Sequence, residues 1–491
     1  MLKGFTRNFK PLEILTDEQI ESIHRGTLDV LEITGVRVEH EDALKVFADH
    51  GCQADFDERR VRIPGWLVED CLRKCPSSFV VKARDAKNDV RIGGNALYFE
   101  NSIGMRTVDL DTWEPRSATM SEQREGVKVL DALDNLHLVN AYTPYSEIEG
   151  VPPCMTMLES LASRVRNSAK CQAASYHNDS EVFAIKMAKA VGMDLLGTIT
   201  ASAPLTYYED AAEAVFRFVG AGFPVSIGSS AVMGGSGPAT IAGSTIVNNA
   251  ELIVGIVLTQ LIRPGTGVLV SDSVYPMDMR RGNPAFGAVG AALHNVIFNQ
   301  IWRSYGIPTC SWIAGITSSK KIDFQCAYER AMTSLLCALS GSNLISLYGA
   351  IYGELTWHPA QAVIDDDIAG WIGRCIEGVE VTDETLAIDL IEEVGPIPGH
   401  YLHKEHTRKW GKREQFIPKC ADRGSYPEWI KEGKKDALAL AKERVEEIVA
   451  THKPKPLTPK QEQAIEDILK EAREYYRDRG MISDAEWEAY N

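Results

Sequence analysis

No two cysteines in this chain are spaced as C-x-x-C. The ten that occur (Cys52, Cys71, Cys75, Cys154, Cys171, Cys310, Cys326, Cys337, Cys375 and Cys420) are scattered over 491 residues. That excludes a dense disulfide framework and predicts reduced, mostly buried thiols. Cys71 and Cys75 would share a helix face, but no second pair accompanies them. Long apolar runs are missing as well. The most apolar window, "AELIVGIVLTQLIRPGTGVLV", is broken by Arg263-Pro264-Gly265, so no bilayer-spanning helix is expected. No N-terminal stretch joins a basic start to an apolar core, so a secretory leader is not expected and a cytoplasmic location is. Positive charge is scarce: 52 Lys and Arg stand against 68 Asp and Glu, a formal net charge of −16. This argues against nucleic acid or an anionic membrane as the main partner, and it is compatible with a cationic substrate. The Walker A, G-x-S-x-G and H-E-x-x-H patterns are all absent. "VMGGSGPATIAG" is glycine-rich and precedes a helix, yet it lacks G-x-G-x-x-G and the acidic partner about 20 residues on that a dinucleotide fold needs.

What is present is one repeated rhythm. Short apolar or β-rich runs at 136–146, 170–178, 195–204, 224–235, 267–276, 307–316 and 343–353 alternate with helical periodicity, as in "MTMLESLASRVRNS" and "FQCAYERAMTSLLCALSG". Seven such units predict parallel strands joined by right-handed crossovers. The strands are apolar on both faces, as a doubly covered sheet requires. A doubly wound sheet would also satisfy the rhythm. An α/β fold built on an eight-stranded (β/α)8 TIM-type barrel explains the regularity and length better, although the pattern does not place the eighth strand. The organisation read from the sequence is an N-terminal helical and β-hairpin extension over 1–118, a catalytic barrel over 119–396, and C-terminal loop and helices over 397–491 that pack on the barrel or on a neighbouring subunit. In the extension, Thr16 with Gln19 three residues on marks a helix start. The stretch "VRIGGNALYFENSIGMRTVDLDTWEPR" looks like hairpins. The C-terminal helices are placed at 427–452 and 458–478.

Several predicted strands end in small or hydroxyl residues with a ring or polar group among them: Tyr142 and Tyr145, Tyr176 and His177, Met233-Gly234-Gly235, Asp272 and Tyr275, Trp312, Tyr348 and Tyr352. In a parallel barrel these ends form one face, where active sites sit. A single ring there is most often just a cap on the core. A converging set has a more specific use, because a quaternary ammonium group offers no N–H and is recognised by ring faces, each worth about 0.5–2 kcal/mol. A metal site is not expected. "HYLHKEH" spaces His400, His403 and His406 three apart, so only neighbouring pairs share a helix face. Asp365-Asp366-Asp367, near the start of a helix, would favourably meet the helix dipole without any catalytic role.

The stretches "LTYYEDAAEAVFRFVGAGFPV", "MGGSGPATIAGSTIVNNAELIVGIVLTQLIRPGTGV", "MDMRRGNPAFG", "YERAMTSLLCALSGSNLI", "QAVIDDDIAGWI" and "GPIPGHYLHKEHT", in this order and spacing, resemble the trimethylamine:corrinoid methyltransferases and their homologues without pyrrolysine. The resemblance implies a barrel whose carboxyl-terminal face binds a methylated amine, in a homo-oligomer that docks a separate corrinoid protein. The corrinoid, of the cob(I)alamin type, is carried by that partner and not tightly bound by this chain. The trimethylamine enzymes carry pyrrolysine, whereas this chain has only standard residues throughout 317–350. A quaternary amine is already activated for methyl transfer, so the resemblance implies a betaine-type substrate such as glycine betaine, proline betaine or carnitine. The residues expected to form its cage are Trp312, Tyr348, Tyr352 and Trp357, with Phe99 or Tyr275 as further walls. His358 and Arg280 are the expected carboxylate anchors, and Asp272 and Gln361 are expected to position substrate or a partner loop. In-line transfer needs no acid or base. Two other readings stay open: a metal-dependent barrel hydrolase or lyase using the histidine cluster, and a non-catalytic binder of quaternary amines.

Overall fold

The computed structural model describes residue 2 and residues 4–490. Eight parallel strands close on themselves: β1 (Ala96–Asn101), β2 (Leu138–Val139), β3 (Cys171–Ala174), β4 (Leu195–Ala201), β5 (Val225–Ser229), β6 (Val268–Asp272), β7 (Thr309–Ser311) and β8 (Leu344–Tyr348). Closure is made by β8 against β1, with Leu344 opposite Tyr98 and Ile345 opposite Phe99. Each strand is followed by a long helix: α1 (Met120–Ala132), α2 (Thr156–Asn167), α3 (Ser180–Val191), α4 (Glu209–Ala221), α5 (Ile241–Ile262), α6 (Val289–Ser304), α7 (Phe324–Ser340) and α8 (Pro359–Ile376). This is the (β/α)8 barrel that the sequence predicts, and the seven predicted strands contain β2 to β8.

β1 lies where the sequence reads as hairpins, inside the segment 1–118 assigned to the extension. Two true hairpins flank it, Ser78–Val81 with Val90–Gly93 and Thr107–Val108 with Pro115–Arg116. Glycine turns at Gly93 and Gly94, both at positive φ, feed straight into β1 and hide its parallel partners, which lie far along the chain.

Two layers of core result. Inward residues of the lower barrel, among them Tyr98, Leu138, Leu196, Leu269 and Leu344, pack on one another, while outward residues such as Phe99, Val225, Val268 and Ile345 meet the helices. The apolar helix α5 meets the barrel on one side and the N-terminal helices Asp17–Asp29 and Gly65–Lys74 on the other, so it is buried almost all round. The predicted capping box of Thr16 and Gln19 opens the first of these N-terminal helices. A small sheet of Val36–Val38, Gln53–Asp55 and Arg60–Arg62 lies among these N-terminal helices. At the C-terminal end the predicted helix over 427–452 splits at Gly433 into Tyr426–Lys431 and Ala437–Thr451. Helix Pro459–Asp478 lies on α2 and α3, tied by ion pairs from Arg166 to Glu462 (2.6 Å) and from Lys186 to Glu471 (2.5 Å).

Candidate functional site

Along the barrel strands, inward positions change character from bottom to top. On β4 they run Leu196, Thr198, Thr200, and on β6 they run Leu269 and Ser271, with Ser273 just beyond. The period-2 geometry of a strand carries these residues up one face. Above the apolar floor they open a cavity of about 250 Å3 at the carboxyl-terminal face. Every strand or the loop after it contributes to the lining. The first four give Ile103, Tyr142, Ser175 and Thr198, and the last four give Gly228, Ser271, Trp312 and Glu354. Tyr176 adds a third ring.

Hydrogen bonds fix these groups. The Tyr142 hydroxyl donates to Ser175 Oγ (2.9 Å), which donates to the Thr198 carbonyl (3.2 Å). The Tyr176 hydroxyl donates to the Thr200 carbonyl (3.1 Å). Ser229 donates to the buried Glu251 carboxylate, which also accepts from the Leu205 N–H (2.7 Å). The Trp312 indole N–H donates to Glu354 Oε1 at 3.1 Å. Glu354 faces the cavity, and its partial burial raises its carboxyl above the usual range, opposed by the Trp312 hydrogen bond. Burial also pushes Glu251 up to about 7 against the pull of Ser229, and it raises the Tyr142 hydroxyl. Glu354 sits on a hairpin tip formed between Ala350–Ile351 and Thr356–Trp357. There Tyr352 (φ 53°) and Gly353 (φ 63°) are both left-handed, and a Cβ on Gly353 would lie 2.7 Å from the Phe286 ring.

The structure disperses the predicted site residues. Trp312 lines the cavity. Tyr275 is not among the lining residues but lies behind one of them, sharing a hydrogen bond with Ser273 Oγ (2.7 Å) and packing edge-on against Phe286. Tyr352, outside the lining set, has a cation of this same chain over its ring, Lys320 Nζ at 4.3 Å.

The rest are placed elsewhere, so the expected cage of Trp312, Tyr348, Tyr352 and Trp357 is not assembled. Tyr348 is buried behind the barrel wall with its hydroxyl 3.2 Å from Asp366 Oδ1 on α8, because a bulge between Ser346 and Tyr348 turns the ring outward. Trp357 packs in the same layer, its indole donating to the Tyr348 carbonyl (3.0 Å), and Phe99 faces outward against Phe5. His358 caps α8, its Nδ1 accepting from the Ala360 N–H (3.1 Å), and burial holds it down at about 4. Arg280 is exposed on the loop after β6. Asp272 is fully buried and accepts from His294 (3.0 Å) and Asn295 (2.7 Å). Gln361 donates to Asp365 (2.8 Å).

The three consecutive aspartates lie beyond the first turn of α8 and act as anchors rather than as partners of its dipole. Asp365 pairs with Arg330 (2.5 Å), Asp366 accepts from Asn135 N–H (3.1 Å), and Asp367 accepts from the Cys420 N–H (2.6 Å). His400 and His403 are exposed with Nδ1 atoms 3.3 Å apart, and His406 approaches the Glu384 carbonyl. Glu354 carries no local signal beyond being an acidic residue in a strand-end loop. The Ser and Thr set was visible only as hydroxyls recurring two apart at strand ends, as in Thr198 with Thr200 and Ser271 with Ser273.

A small-amine-sized cavity of rings, hydroxyls and one carboxylate at the barrel mouth can be compared with known proteins. Residues 1–475 match the family described as trimethylamine methyltransferase (MTTB). The chain is 33% identical over 460 residues to the glycine betaine methyltransferase of Desulfitobacterium hafniense (strain Y51), covering 91% of this chain and 94% of that protein. It is 31% identical over 473 residues to the trimethylamine methyltransferase MttB of D. hafniense (strain DSM 10664 / DCB-2), covering 94% of each. Among solved structures, the monomethylamine methyltransferase MtmB of Methanosarcina barkeri shares the fold, with a TM-score of 0.50 at 13% identity, covering 94% of this chain and 88% of that one. A match along nearly the whole length, to relatives of the same extent and on the same barrel, places this chain in the trimethylamine methyltransferase family, a family of methyl-transferring enzymes.

Proposed function

We propose that the cavity binds a quaternary ammonium compound and that the protein passes one of its methyl groups to a cobalt(I) corrinoid carried by a separate protein. The observation that carries this reading is the lining itself: the rings of Tyr142, Tyr176 and Trp312 together with the Glu354 carboxylate, and no Lys, Arg or His among the lining residues. Such a set suits a cation that cannot be hydrogen-bonded. The family membership supports methyl transfer, and the absence of any non-standard residue supports a substrate that needs no activation.

In the transfer, the C–N bond breaks with its electron pair staying on nitrogen, which leaves as a neutral tertiary amine. The corrinoid supplies the nucleophilic pair that takes the methyl group. A cavity of about 250 Å3 holds a small amine and not a corrin macrocycle, so this chemistry would be met at the mouth. The residues of this chain orient the C–N bond toward that mouth and exclude water from it. Charge on nitrogen falls as the reaction proceeds, so Glu354 and the rings hold substrate more tightly than product. They contribute to capture and release, while the chemical step depends on orientation. Exposed apolar side chains on α6 and α7, including Val289, Phe324 and Met332, support the homo-oligomer.

The test is to follow loss of cobalt(I) absorbance when the purified protein is mixed with quaternary amines and either free cob(I)alamin or the corrinoid protein of the same genome. Turnover with at least one quaternary amine and none with trimethylamine is expected. Trp312→Ala should raise KM roughly 2- to 30-fold, the worth of one ring contact. Tight binding with no transfer to either acceptor would make this a binding protein instead.

A further inference from the structure

We propose that the substrate is a quaternary ammonium compound with a neutral tail, a choline-type alcohol or a tetraalkylammonium ion, and that Glu354 excludes betaines whose carboxylate lies close to the nitrogen. This rests on the reading above and deepens it, since one relative is named for glycine betaine.

A carboxylate in this cavity would need donors. The Tyr142 hydroxyl already donates to Ser175, Ser175 to the Thr198 carbonyl, Tyr176 to the Thr200 carbonyl, and Ser229 to Glu251. The Trp312 N–H is given to Glu354. These five donors are committed within the protein, so a carboxylate would find only the remaining lining hydroxyls, such as Ser271, and no cationic side chain, while the rings suit polarised N-methyl groups. The cations that a zwitterion would seek do not line the cavity. Lys320 lies over the Tyr352 ring and donates to the Ser318 carbonyl (2.7 Å), His358 caps α8, and Arg280 is exposed on its loop. A carboxylate one methylene from the nitrogen would instead share a cavity of about 250 Å3 with Glu354, where like charges repel. The buried hydroxyl of Ser271 lines the cavity beside the Cys310 thiol. It can meet a hydroxyl on a substrate tail, and the discrimination against a carboxylate rests on Glu354.

The experiment compares kcat/KM for choline, tetramethylammonium and glycine betaine with the full-length enzyme and its corrinoid acceptor, in wild type and Glu354→Gln. Gln keeps an acceptor for the Trp312 N–H, so the hairpin should hold, and an unchanged melting curve checks that. Wild type should prefer choline or tetramethylammonium over glycine betaine by about tenfold or more, and Glu354→Gln should shrink that preference by about tenfold, with KM moving rather than kcat. A wild-type preference for glycine betaine, or a preference for choline or tetramethylammonium that Glu354→Gln leaves unchanged, overturns the inference and leaves the methyltransferase reading standing. Titration calorimetry of tetramethylammonium chloride and of glycine betaine on the protein alone separates the two readings. If no amine is demethylated, selective binding of tetramethylammonium that is lost in Glu354→Gln still supports charge selection, and equal binding of both ligands rules it out.

Discussion

Glu100, on β1 inside the barrel, accepts hydrogen bonds from Ser346 and from the Cys310 thiol (3.5 Å), and burial pushes its carboxyl up to about 7. Its folded-state value therefore lies above the unfolded one. The stability it contributes is complete at acid pH and is lost as pH rises through 7. His137, which accepts from the Phe99 N–H (3.1 Å), is held down at about 3 by burial and acts in the opposite sense, losing stability as pH falls below the ordinary histidine range. The two windows overlap, so the wild-type curve conceals both, and a difference between proteins exposes one. Glu100→Gln should gain on wild type between pH 5 and pH 8 by on the order of 3 kcal/mol, read as the change in the gap between their urea unfolding free energies. A gap that does not change with pH would show that Glu100 does not titrate there. At this scale the sequence was partly legible. It marked Tyr142, Tyr176 and Trp312 as strand-end rings, but it could not tell which way Tyr348 faces. Leu344 and Ser346 point inward, so strict alternation would send Tyr348 inward too. One extra residue in β8 pairs it with the outward-facing Asn101 instead.

Arg330 on α7 joins three separate strand-end segments. It donates to the carbonyls of Gly315, in the turn that begins at Trp312, of Leu347 on β8, and of Ala350 (2.7 Å) on the hairpin that presents Glu354, while Asp365 on α8 neutralises it at 2.5 Å. Both charges are fully buried. Removing one leaves the other without compensation, so Arg330→Met should cost about 3–5 kcal/mol in urea unfolding. Arg330→Met with Asp365→Leu should recover only part, because three buried carbonyls lose their donor. A single variant within 1 kcal/mol of wild type, by the standard of an ordinary surface change, would mean that neighbouring hydrogen bonds hold these turns unaided. None of this was visible in the linear chain, since residues 315, 330, 347, 350 and 365 meet only once the barrel is closed. The repeated elements were visible because each strand is a local apolar run. β1 was the exception, since a hairpin precedes it and its partners are remote.

The whole chain carries a formal charge of −16, and its field at the barrel mouth is opposed by a few exposed cations on the same face, among them Arg280, Lys320 and Lys321. The sign of the salt dependence decides which prevails. If the body of the protein sets the field, a net cation is drawn toward the mouth while a zwitterion, with no net charge, gains little. The Debye length shrinks from about 30 Å at 0.01 M salt to about 10 Å at 0.1 M, so long-range attraction fades across that range while contacts inside the cavity are little screened. The expected outcome is that kcat/KM for choline or tetramethylammonium falls severalfold as salt rises from 0.01 to 0.1 M. kcat should stay constant, because the departing tertiary amine is neutral. A rise in kcat/KM with salt would mean that the loop cations dominate the approach, and that the acidic composition serves solubility rather than capture. A flat profile would place all of the cation selectivity inside the cavity, at Glu354 and its rings.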